Sequence, residues 1–90
     1  MRFFSETKLV KHMQTELDVS FHNYRQSYGS IYFGRTKKGR YVSLKVHDSF
    51  FKMEIEYAPE RKYTTKKLWC FKQFKKAIKE FKQTEETFFN

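Results

Sequence analysis

Between Tyr41 and Tyr57 the chain reads YVSLKVHDSFFKMEIEY. This run constrains the fold more than any other. Val42, Leu44 and Val46 alternate with Ser43, Lys45 and His47. After a short turn at Asp48-Ser49, Phe51, Met53, Ile55 and Tyr57 alternate with Lys52, Glu54 and Glu56. A period of two marks a strand with one buried face. The apolar sides of two such strands need a second layer to cover them. Upstream, Ile31 to Gly34 reads as a further strand, joined to Tyr41–His47 by "RTKKG", whose Gly39 suits a bulged hairpin loop. A weaker strand is expected over Ser20–Arg25, and Pro59 ends the last one.

Two segments at helical period supply the cover. Residues 5–18 are expected to be helical, with Ser5 as N-cap, Glu6 in the first turn, and Leu9, Val10, Met13 and Leu17 on one face. Phe3 and Phe4 would staple its start to the body. Residues 65–83 are expected to form the second helix, capped by Thr64 or Thr65, with an apolar stripe of Phe71, Phe74, Ala77, Ile78 and Phe81. Cys70 sits at the edge of that stripe and Trp69 at the border of the two faces. The tail either frays or folds Phe88 and Phe89 back onto the body. The expected fold is therefore α+β: a two-layer sandwich in the order α-β-β-β-α. In it, an antiparallel sheet of three to four strands is packed by an N-terminal and a C-terminal helix. Residues 1–90 form a single domain. So short a chain buries a smaller fraction of its surface than a larger one does, which its 20% aromatic content partly offsets.

Charge narrows the partners. The formal net charge is +9, which favours nucleic acid, a membrane surface or an acidic protein face. No run is long and apolar enough to span a bilayer, and the first residues lack the apolar centre of a secretory signal. One cysteine can form no internal disulfide, so a cytoplasmic protein is expected. The second helix is cationic and amphipathic, but its Phe stripe is needed as core, which argues against a membrane role.

The first candidate surface is a row of lysines. Lys72, Lys75, Lys76, Lys79 and Lys82 fall within about a third of the helix circumference, opposite the Phe stripe. A core-packing helix must expose something soluble, and Lys is a good helix former. A neutral solvated face would mix acids with these lysines at i, i+4. Glu80 is the only acid between Arg61 and Lys82, so binding to an anion is placed ahead of plain solvation. The second candidate is Arg35, Lys37, Lys38 and Arg40 with Lys45, in a stretch free of acids between Asp18 and Asp48. Interleaved Tyr28, Tyr32, Phe33 and Tyr41 would stack bases beside phosphate contacts, or else serve as core.

Catalysis is not expected. Cys70 is flanked by Trp69 and Phe71 and reads as a small hydrophobe rather than the partner of a histidine. His12, His22 and His47 lack metal-ligand spacing. His47-Asp48 reads as a turn, and Glu54 and Glu56 as cross-strand partners of lysines. Gly29, Gly34 and Gly39 have hairpin spacing and form no phosphate loop. No catalytic residue, metal or cofactor is assigned.

The pieces "GSIYF" (Ser30, Tyr32) and "LKVHDS" (Leu44 to Ser49) resemble a hairpin of small proteins from phages, plasmids and other mobile elements of low-GC bacteria. There a strand of the type S-x-Y precedes an apolar-basic-apolar-S-D-H strand end; here His47 and Ser49 replace the Ser and His that flank the Asp. Some inhibitors of CRISPR–Cas nucleases carry a similar hairpin. The resemblance implies a non-enzymatic phage or mobile-element protein that inhibits a nucleic-acid-handling complex in the host cytoplasm. Its partner would be a host protein or ribonucleoprotein nuclease, met by the lysine-rich face. The alternative is direct, sequence-nonspecific binding of DNA or RNA.

Overall fold

The structure is a computed structural model that describes the backbone of residues 2–89 and the side chains of residues 2–86. The backbone of Phe88 and Phe89 continues the second helix, beyond the expected end at residue 83, and the packing of their side chains lies outside what the structure describes. The elements follow the order α1 (Glu6–Leu17), β1 (His22–Gln26), β2 (Gly29–Arg35), β3 (Tyr41–His47), β4 (Phe51–Ala58), β5 (Arg61–Thr64) and α2 (Phe71–Phe89). The five strands form one antiparallel meander in the order β1-β2-β3-β4-β5. The fold is α+β, as the alternating and helical patterns require, but the sheet has five strands rather than three or four.

Both helices cover one face of the sheet. Val42, Leu44 and Val46 of β3 and Phe51, Met53 and Ile55 of β4 are buried against Leu9, Met13 and Leu17 of α1 and Phe74, Ala77, Ile78 and Phe81 of α2. Phe51 is central: its ring lies edge-on to Phe4 at 4.8 Å and to Phe74 at 5.4 Å. Such pairs add roughly 0.5–1.5 kcal/mol beyond area burial.

Helix α1 begins as read. Ser5 is extended, and its Oγ accepts the Lys8 N–H at 3.3 Å. Asp18 closes the helix in the left-handed conformation, with φ 52°. The Tyr32 hydroxyl donates to the Glu6 carboxylate, tying the first turn to the sheet.

Helix α2 begins later than Thr64 or Thr65 suggests, and the reason lies in β4. Thr65 N–H donates to Met53 O at 3.0 Å, and Met53 N–H donates to Thr65 Oγ1 at 3.0 Å. Leu68 and Phe51 exchange both backbone bonds, at 2.8 and 2.9 Å. Residues 65–68 therefore continue along the outer edge of β4. A helix starting at 65 would strip four β4 backbone groups of their partners, a cost that a few helical bonds do not recover. The helix starts once that edge is satisfied: Gln73 Oε1 accepts the Trp69 N–H at 2.7 Å, and Phe74 N–H donates to Cys70 O at 3.2 Å. Among the described residues, no helix is long and apolar enough to cross a membrane.

Candidate nucleic-acid interface

Helix α2 divides into the two faces expected. Phe74, Ala77, Ile78 and Phe81 are buried. Lys72, Lys75, Lys76, Lys79 and Lys82 are all exposed. The structure then separates these five. Lys82 pairs with Glu16 of α1, whose carboxyl is held below its ordinary range by that hydrogen bond and charge. Among the described residues, no carboxylate lies within ion-pair distance of Lys72, Lys75, Lys76 or Lys79. Lys72 also stands in the first turn, where the helix dipole favours an anion, and that turn holds no acid.

Helix α1 adds to this face. Lys8 Nζ lies 4.3 Å from the centre of the Phe71 ring, and Lys75 Nζ lies 5.7 Å from it. His12 packs its ring edge-on to Phe71 and Phe74 in the seam between the helices. Burial lowers its pKa; Lys75 and Lys82 lower it further, against an upward pull from Glu16. Lys8 is not legible in the sequence as a member of the row, because only the α1–α2 docking brings it there.

The hairpin cations lie elsewhere. Arg35 donates to Gly39 O at 2.9 Å, inside its own loop. Lys37 pairs with Asp18 at 3.1 Å; Lys38 and Arg40 approach Glu85 at 3.5 and 3.9 Å. Glu85 is six residues beyond Lys79, about 9 Å along the helix axis, so these pairs sit just past the C-terminal end of the row and an acid stands between the two groups of cations. The stretch without acids in the sequence thus receives acids from both helices in space. The hairpin cluster and the lysine row do not merge into one uninterrupted cationic track.

The sheet face away from the helices is open. Tyr24, Ile31, Lys45 and Lys52 form one row across four strands, with Ile31 opposite Tyr24 and Lys45, and Lys45 opposite Lys52. Alternation alone does not single out this row. Its signal is the two-residue turn at Asp48-Ser49, which places residue 45 opposite residue 52. Trp69 lies outside α2 and is 44% exposed. Cys70 is half-buried, its thiol makes no hydrogen bond among the described residues, and its backbone bridges Phe3. Among the described residues, no group of three or more His, Cys, Asp and Glu is placed to hold a metal ion.

The chain matches no family model, no curated protein and no solved structure. The class that fold and surface define is a two-layer α+β sandwich with a cationic helix face on one side and an open sheet on the other.

Proposed function

We propose that this protein binds nucleic acid directly, without catalysis and without sequence preference, through the outer face of α2. The observation that carries this reading is the row Lys72, Lys75, Lys76 and Lys79, exposed and without a pairing carboxylate among the described residues. The row is costly to the fold. Like charges at i, i+3 and i, i+4 repel, and the first-turn lysine opposes the dipole. Phosphates would relieve both costs, and releasing their counterions would drive binding. The helix is fixed to the core by Phe74, Ile78 and Phe81, so the lysine stems project from a rigid support.

The test is a titration of a labelled oligonucleotide at rising salt. Affinity should fall steeply as salt increases. Replacing Lys75, Lys76 and Lys79 by Glu should abolish binding while the helical circular dichroism is kept. No binding at low salt would overturn the reading.

A second reading is inhibition of a host nuclease complex, with the same basic face on an acidic or guide-adjacent surface. Phe3 favours it: this large apolar side chain is 68% exposed beside the start of α2. An exposed aromatic is the kind of anchor that protein interfaces use. Capture of a protein from nuclease-treated host lysate, lost in Phe3→Ala, would support this second reading. A partner that disappears with the nucleic acid would argue against it.

A further inference from the structure

At the end of the sheet nearest the start of α2, four aromatic rings from distant parts of the chain form a ladder. Tyr28, from the β1–β2 turn, stacks on His47 at 5.4 Å and 21°. His47 stacks on Phe50 at 4.4 Å and 15°. Phe50 meets Trp69 at 5.7 Å and 54°. The two ends of the ladder are wet: Tyr28 is 50% exposed and Trp69 44%. One face of Tyr28 is taken by His47, and half of the residue remains exposed. A satellite of the core would be covered by neighbouring chain; this ladder ends in water at both ends.

Its surroundings are cationic. Lys67 Nζ sits 4.5 Å from the centre of the Phe50 ring. Lys45, Lys52 and Lys67 all act electrostatically on His47, opposed by Asp48. None of the three lysines has a carboxylate at ion-pair distance among the described residues. Lys45 and Lys52 face each other directly across β3 and β4.

The backbone beneath is held tightly. His47 N–H donates to Phe50 O at 2.8 Å. Arg2 donates to the carbonyls of His47 at 3.0 Å and Asp48 at 3.3 Å. Trp69 is fixed by its bond to Gln73 and by the Leu68–Phe51 pair next to it. Opposite His47 stands Gly29, where an added Cβ would fall 1.9 Å from Val46 O. The backbone that carries the rings is therefore held in place, which lowers the ordering a ligand must impose.

We propose that the Tyr28–His47–Phe50–Trp69 ladder, with Lys45, Lys52 and Lys67, is a stacking site for unpaired bases of a single-stranded nucleic acid. Flat rings with open ends accept the faces of bases, which duplex DNA keeps covered by pairing and stacking. Unpaired cations beside the rings meet the phosphates between those bases. This deepens the nucleic-acid reading and rests on it for the class of ligand, but it uses none of the α2 lysines. It assigns the two surfaces different work: the α2 row holds phosphates of any nucleic acid, and the ladder selects single strands.

The only tryptophan of the chain is part of the ladder, so its fluorescence reports the site directly. The probes are a mixed-sequence single-stranded oligonucleotide and the blunt duplex it forms with its complement. The single strand should quench Trp69, and the duplex should bind without quenching. By anisotropy of the labelled single strand, Tyr28→Ala and Trp69→Ala should each weaken binding roughly ten-fold, the loss of one base–ring stack. Tyr28→Phe, which keeps the ring, should bind as the parent does, and duplex affinity should be unchanged in all three. Binding of both probes without quenching of Trp69 would overturn the ladder and leave the lysine row standing. Quenching by the single strand that survives Lys75, Lys76 and Lys79→Glu would support the ladder and overturn the α2 row as the obligatory grip. Binding of neither probe would overturn both. A protein captured from nuclease-treated lysate and lost in Tyr28→Ala, with no oligonucleotide binding, would overturn the ladder in favour of a protein contact.

Discussion

Lys45 and Lys52 stand directly opposite each other on the open face of the sheet, as partners across β3 and β4. Like charges in this position destabilise a sheet, whereas opposite charges stabilise it by roughly 0.2–1 kcal/mol. Lys52→Glu should therefore raise stability by up to about 1 kcal/mol in a urea melt. The same change should weaken binding of a single-stranded oligonucleotide. A gain in stability with a loss of binding would mark the pair as kept for a ligand. A loss of stability would mean that the Lys52 stem contributes packing that its charge conceals.

Gly29 and Gly39 both have positive φ, 153° and 81°, but their surroundings differ. A Cβ at Gly29 would meet Val46 O at 1.9 Å, whereas one at Gly39 would meet nothing within 4 Å. Gly39→Ala should cost only the left-handed penalty, about 1 kcal/mol. Gly29→Ala must also push β2 away from β3, and should cost on the order of 1–3 kcal/mol more. It should also shift Trp69 fluorescence, because the turn that carries Tyr28 begins the displaced strand. Paired thermal melts of the two variants check the order.

Thr65 tests why α2 starts where it does. Its Oγ1 accepts the Met53 N–H and serves no helix. Thr65→Val keeps the shape and removes the acceptor, leaving a part-buried donor unsatisfied at a cost of about 1–3 kcal/mol. The helical circular dichroism should not change. A drop in helix content would restore Thr65 to the capping role its sequence suggests.

That residue also shows where sequence reading ends. The sandwich, the α1 cap at Ser5, the two faces of α2 and the alternation of β3 and β4 are local patterns, and each is legible as a period or a spacing. Strand β5 is not, because Arg61–Thr64 is short, polar at three of its four positions, and placed only by the free edge of β4. Thr65 reads as a cap because capping and edge pairing use the same hydroxyl. The candidate site follows the same rule. The lysines of α2 are visible as a helical arc, but the pairing of Lys82 with Glu16, or of Lys38 with Glu85, depends on packing between distant segments. So does the ladder, whose rings come from the β1–β2 turn, the end of β3 and the turn after it, and the residue before Cys70.

His12 and His47 should make the fold sensitive to mild acid. Burial is the largest cause lowering each from its ordinary value of 6.5. Lys75 and Lys82 add to it at His12, and Lys52, Lys45 and Lys67 at His47; Glu16 and Asp48 oppose it. Between the lowered values and 6.5 the unfolded chain binds more protons than the folded one, so stability rises with pH through that window. The full contribution is present above about pH 6.5 and is lost as pH falls through the window. Denaturant melts at about pH 7.5 and about pH 5.5 should differ, with the lower pH less stable. The carboxyl of Glu16 acts in the same direction only at more acidic pH, since it is lowered from 4.5. The difference should shrink in His12→Gln and again in the double variant with His47→Gln. A slope unchanged in the double variant would assign the effect to other groups.

The lysine row sets stability against binding. Lys72, Lys75, Lys76, Lys79 and Lys82 form like-charge pairs at i, i+3 and i, i+4, each unfavourable by about 0.2–0.5 kcal/mol on a helix. Replacing Lys75, Lys76 and Lys79 by Gln relieves every one of these pairs without adding acids. The variant should unfold at higher denaturant, with a gain on the order of 1 kcal/mol. Its binding should weaken, and the slope of log affinity against log salt should shrink by about 2 to 3, since each phosphate contact contributes about 0.7–0.9. The two readouts separate the roles cleanly. A solvated face with no ligand would give the stability gain and no slope to lose. A face that packs against another part of the chain would give a loss of stability instead. Only a face held in reserve for phosphates gives a firmer fold and a flatter salt dependence together.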